Sequence, residues 1–86
     1  MRRTLEEISE SAGPIARYVR EKRKELGYTQ IIMAERAGVG LRFIKELELG
    51  KKNLRLDKVN QVVEFCGGEI FVRDMGSKIW DKQVFI

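Results

Sequence analysis

Apolar residues return every three or four positions along most of the chain, which predicts a series of short amphipathic helices punctuated by glycine. A first helix is expected from about Pro14, because proline suits a first turn whose N–H groups have no intrahelical acceptor. Ile15, Val19 and Leu26 fall on one stripe of it, with Tyr18 and Lys22 alongside, and Gly27 supplies the stop. Thr29 then caps a second helix over 30–37, where Met33, Ala34 and Ala37 make a narrow face of small residues. Gly38, Val39 and Gly40 form a tight turn. A third helix over 41–49 directs Ile44 and Leu47 inward and stops at Gly50. Past a loop over 53–56, Asp57 caps or opens a fourth helix that runs to Cys66. Leu56, Val59, Val62 and Val63 form its apolar stripe, and Gly67 and Gly68 end it.

The flanks read differently. Residues 2–11 are a polar leader in which Thr4 and Glu7 fit a capping box and Leu5 and Ile8 lie three apart, as a short extra helix requires. Residues 69–73 alternate polar and apolar around a β-branched centre, the pattern of a strand. A lone strand leaves its backbone groups without partners, so pairing with the same strand of a second copy is expected. Ile70 and Val72 then share one face and Phe71 takes the other. The chain divides into a leader (1–12), a helical domain (13–67), a dimerisation strand (68–74) and a tail (75–86) that carries Trp80 and Phe85.

Composition narrows the chemistry. Eighty-six residues suit one small domain. A single cysteine excludes an intrachain disulfide, and one cysteine with no histidine excludes a Cys/His zinc site within one chain. Cys66, beside Val63 and Phe65, reads as a small core residue. The commonest general base is missing, and neither a nucleophile–base pair nor a phosphate-binding glycine loop stands out. An enzyme is therefore the least favoured class, and no cofactor is expected. The chain has no apolar run of membrane-spanning length and no signal-peptide core, so a soluble cytoplasmic protein is expected. The net charge of +4 matters for its placement: Lys51, Lys52, Arg55 and Lys58 cluster behind the third helix.

Two short helices joined by a three-residue, glycine-containing turn make a helix-turn-helix. The segment 26–59 strongly resembles the Cro/repressor-type helix-turn-helix family. It has the T-Q start at Thr29 and Gln30, the A-x-x-A-G-V turn over 34–39 and the I-x-x-L-E-x-G end over 44–50. The likeness extends over about residues 15–65 and implies a mainly α, four- to five-helix repressor-like domain that binds a double-stranded DNA operator. Gln30, at the start of the second helix, corresponds to a position that meets a backbone phosphate. Leu41, Arg42 and Glu46 occupy positions that read base edges, with Phe43 and Lys45 on the same outer side. Arg42 suits guanine O6 and N7, a contact that supplies ~1–3 kcal/mol of discrimination. Leu41 suits a thymine methyl. Glu46 either accepts from cytosine N4 or steers Arg42. Lys51, Lys52 and Arg55 fall where the family meets phosphates. Arg23 and Glu48 match positions that form a partly buried ion pair.

Two departures stand out. Gly40 replaces a common capping serine or threonine in the DNA-facing turn, and Ile31 and Ile32 occupy positions that are usually charged. The segments 13–30 and 38–69 further resemble the HipB-like antitoxins. That likeness implies a homodimer that represses its own operon and binds a HipA-type kinase toxin, or the subunits of a split toxin, with Trp80 as a candidate anchor. A stand-alone regulator of the same fold is the alternative, and a protein–protein adaptor that no longer reads DNA is a third reading.

Overall fold

The computed structural model describes residues 12–76, which form four helices: α1 (Pro14–Glu25), α2 (Gln30–Ala37), α3 (Leu41–Glu48) and α4 (Leu56–Phe65). The capping box at Thr4 and Glu7, and Trp80 and Phe85 in the tail, lie outside the described residues. No described helix is long and apolar enough to cross a membrane.

The helix boundaries follow from local chemistry. Pro14 opens α1, and the Thr29 hydroxyl accepts from the Ile32 N–H at 3.2 Å to cap α2. Each helix closes with an amide that reaches back five residues: Tyr28 to Arg23, Val39 to Ala34, Lys51 to Glu46 and Gly68 to Val63. The residue before each of these amides is a glycine at positive φ, the backbone that satisfies the last carbonyls of a helix. Asp57 lies in the first turn of α4 rather than at its cap, which is Arg55.

The core is a single cluster. Val19 of α1, Met33, Ala34 and Ala37 of α2, Ile44 and Leu47 of α3, and Val59, Val62 and Val63 of α4 are all buried in it. Ala34 is 3% exposed, and its small side chain permits the close approach of α2 and α3. Leu41, Phe43 and Cys66 pack against this core from its edge.

Three expectations are corrected. Ile15 and Leu26 do not line the inner side of α1: both are exposed, and the buried residues there are Ala16, Val19 and Arg20. Leu56 is exposed as well, so the inner face of α4 begins at Val59. Among the described residues no strand forms. Residues 69–73 carry no ladder hydrogen bonds with the described residues, which include no strand for them to pair with. Phe71 and Val72 are 72% and 95% exposed, and Ile70 borders a groove with Pro14, Ile15, Tyr18 and Val63.

Candidate nucleic-acid interface

The interface is built outward from one buried carboxylate. Glu48, at the end of α3, is 6% exposed. Arg23 of α1 donates to it from two nitrogens, Nε to Oε2 at 2.8 Å and the second terminal nitrogen to Oε1 at 3.0 Å. The remaining arm of that guanidinium donates to the Tyr28 carbonyl at 3.0 Å. The pairing expected from the resemblance is thus present, in the bidentate form that suits a guanidinium buried with a carboxylate. Gln30 adds a bond from its amide nitrogen to Glu48 Oε1 at 3.3 Å. One carboxylate therefore ties α3 to α1 and to the start of α2.

That bond also places Gln30. Its half-buried side chain turns toward Glu48, and the Ile32 N–H of the same turn is taken by the Thr29 hydroxyl.

A second support comes from α4. The Gln61 amide nitrogen donates to the carbonyls of Ala37 and Gly38 at 2.7 and 3.0 Å. These are the terminal carbonyls of α2, so Gln61 braces the turn that sets α3 against α2. Nothing in the local pattern around Gln61 marks it, because its partners are 23 and 24 residues away. Arg36 stacks over the Tyr28 ring, 5.4 Å from its centroid, and holds the loop between α1 and α2.

The outer side of α3 presents Arg42 and Lys45, both exposed. Gly40, at the N-cap, makes no side-chain cap bond, so the first N–H groups of α3 are left for another acceptor. Leu41 and Phe43 are half-buried against the core, which removes much of their surface from the outer face. Glu46 sits between two cations: Arg42 Nε is 3.3 Å and Lys51 Nζ 3.2 Å from its Oε2. The hydrogen bond from Lys51, aided by Arg42, holds the Glu46 carboxyl below the usual range. Lys52 is exposed, and Arg55 pairs with Asp57, Nε to Oδ1 at 3.1 Å and a terminal nitrogen to Oδ2 at 2.6 Å. Lys58 is half-buried at the start of α4. The structure thus gathers Arg42, Lys45, Glu46 and Lys51 on and just behind α3. It engages Gln30 and Arg55 with carboxylates of the chain itself.

Ile31 and Ile32 are 55% and 37% exposed on the first turn of α2, away from the core. Cys66 is half-buried, and burial pushes its thiol up from the ordinary value.

A short helix braced at its turn and pinned by a buried ion pair, with a basic outer side, defines a helix-turn-helix domain. Comparison with known proteins agrees. The helix-turn-helix family model matches residues 19–71, and the chain belongs to that family. A protein of Sinorhizobium fredii, described as an uncharacterized HTH-type transcriptional regulator, y4mF, is 42% identical over 64 residues. The match covers 74% of this chain and 84% of that relative. No solved structure gives a significant match.

Proposed function

We propose that the chain is a transcriptional regulator that binds specific duplex DNA by inserting the outer side of α3 into the major groove. The observation that carries this reading is the division of α3. Ile44, Leu47 and Glu48 are buried, while Arg42 and Lys45 project outward beside Lys51 and Lys52. A groove reader needs a fixed inner face and a cationic outer one. The description of the relative as a transcriptional regulator supports the same reading.

The proposed contacts follow from the geometry. Arg42 addresses the bases, with Glu46 beside it on the same face. The uncapped N–H groups after Gly40, with Lys45, Lys51 and Lys52, take phosphates. Gln30 and Arg55 join them by exchanging their internal carboxylate contacts for phosphate. A homodimer completes the reader. Residues 69–73, exposed and without a pairing strand among the described residues, pair with those of a second copy through Ile70, Phe71 and Val72, and two α3 helices then stand on the order of 34 Å apart.

Salt dependence is the direct test. A dimer that neutralises about eight phosphates gives a slope near −7 for log affinity against log salt. A slope near zero would leave a protein–protein adaptor instead, a reading favoured by the exposed Ile31 and Ile32.

The finer reading, an antitoxin that also binds a HipA-type kinase, rests on the resemblance of segments 13–30 and 38–69. The exposed apolar residues from Phe71 to Met75 favour a protein partner in addition to DNA. Affinity capture from native cells tests it. A stoichiometric kinase-fold protein, lost when residues after Gly76 are deleted, supports the antitoxin. Promoter DNA without such a protein leaves the stand-alone regulator.

A further inference from the structure

The base-reading side of α3 contains one carboxylate and one guanidinium, and their geometry divides the work between them. Glu46 and Arg42 are four residues apart, on the same face of the helix. The guanidinium uses its Nε–H on Glu46 Oε2 at 3.3 Å. Its two terminal nitrogens form no hydrogen bond with the described residues, and the side chain is 89% exposed. Lys51 donates to the same Oε2 at 3.2 Å from behind the helix. The oxygen that holds Arg42 is therefore itself held by a second cation.

This arrangement fixes the guanidinium by its side and presents its end. A guanidinium presented end-on offers two parallel N–H groups, the pattern that matches O6 and N7 of guanine. Oε2 accepts from both cations, which holds the carboxylate beside Arg42, while Oε1 accepts from no described residue. Lys51 uses one of its three N–H groups on Glu46, which leaves two for a phosphate.

We infer that Glu46 is a positioning residue, clamped by Lys51, which aims Arg42 at a guanine in each half of the bound site. The inference rests on the DNA-binding reading above. It adds that the base preference belongs to Arg42 and its sharpness to Glu46. The carboxylate opposes binding to the polyanion as a whole yet improves choice of sequence.

The test begins with selection of bound duplexes from a randomised library by the full chain, followed by competition binding of the selected site against its single-base variants. The unaltered chain is expected to select guanine at one position of each half-site. Arg42→Ala abolishes that preference. Glu46→Gln keeps the size of the side chain but weakens its hold on both cations. It is expected to cut discrimination for that guanine by about tenfold, the lower part of the range for a bidentate contact, while affinity for random duplex DNA stays equal or rises. Lys51→Met shifts discrimination in the same direction to a smaller extent. Replacing that guanine with 7-deazaguanine removes N7 and is expected to weaken binding of the unaltered chain but not of Arg42→Ala. Thermal unfolding of each variant checks that the fold is retained.

Undiminished guanine preference in Glu46→Gln would overturn the inference, as would a change of preference at a cytosine instead. Both outcomes would leave the DNA-binding reading intact. Absence of any sequence preference in the unaltered chain would remove the DNA-reading assignment itself, and the inference with it.

Discussion

Arg23 and Glu48 meet through two parallel hydrogen bonds of 2.8 and 3.0 Å, with side chains only 15% and 6% exposed. Their partnership holds α3 at a fixed angle to α1, and Gln30 brings the start of α2 into the same cluster. Removing one partner strands the other as a buried charge. Glu48→Ala is expected to destabilise the fold by ~3–5 kcal/mol. The double replacement Arg23→Met with Glu48→Leu is expected to cost much less than the sum of the single changes, because neither charge is left alone. Urea unfolding of the two single variants and the double variant measures the coupling. Additive losses would show that the pair is not the source of the stability.

Gly50 and Gly27 separate two costs that are usually mixed. Both have positive φ, 80° and 73°. A Cβ at Gly27 meets nothing within 4 Å, whereas one at Gly50 would lie 2.5 Å from the Ala12 carbonyl oxygen. Gly27→Ala is expected to cost about 1–2 kcal/mol, the price of left-handed backbone in an L-residue. Gly50→Ala is expected to cost clearly more, since backbone must move as well. Comparison of their denaturation midpoints checks the order, and equal midpoints would mean that the chain before α1 yields freely.

Gln61 predicts a subtler loss. Replacement by leucine leaves the Ala37 and Gly38 carbonyls without their side-chain donor, so a destabilisation of about 1 kcal/mol is expected. The brace acts on the turn between α2 and α3, so DNA affinity should fall along with stability. Calorimetry and binding of the same variant measure both. A variant that binds unchanged would separate the turn from the reading of DNA.

Cys66 should react slowly. Burial raises its thiol pKa, with a nearby Lys22 partly opposing the shift, so even less thiolate is present at neutral pH than in an exposed cysteine. A folded-state pKa above the unfolded value favours folding fully below the unfolded pKa. That contribution is lost as pH rises through the folded pKa, which places the loss on the alkaline side. Ellman's reagent is expected to modify the native chain more slowly than the urea-unfolded chain at pH 8, and equal rates would contradict the burial.

Glu46 and Asp57 shift the opposite way. Lys51 lowers the first and Arg55 the second. Carboxylates with depressed folded pKa values favour folding above their unfolded pKa, and the benefit disappears as pH falls through the folded value. Both lie at the surface, where salt screens such pairs. The small difference in unfolding midpoint between Asp57→Asn and the unaltered chain at neutral pH is expected to shrink as pH falls below the ordinary aspartate range. A difference that does not shrink on acidification would assign the effect of Asp57 to something other than its charge.

The helix boundaries were legible because single residues dictate them. Pro14, Thr29, Gly38 and Gly50 each supply a backbone conformation or a cap that few other residues provide. The inner face of α1 was not legible from hydrophobicity. It contains small Ala16 and charged Arg20 beside Val19, while Ile15 and Leu26 look outward. Leu41 and Phe43, which the resemblance places on the DNA side, pack against the core instead, because Leu41 lies three and seven residues before buried Ile44 and Glu48 and Phe43 lies four before buried Leu47. Gln61 was silent because its partners are distant in sequence. The strand expected over 69–73 does not form among the described residues, because polar–apolar alternation sets which face each side chain takes but does not supply a pairing partner.

The split character of α3 has a consequence for divergence. Ile44, Leu47 and Glu48 carry its attachment to the domain, while Arg42 and Lys45 carry none of it. The outward positions behave as an exchangeable key on a fixed handle. On the proposed reading of DNA by α3, descendants of this chain can acquire new target sites by single substitutions at these positions without first becoming more stable, because such changes draw nothing from the packing that keeps the domain folded.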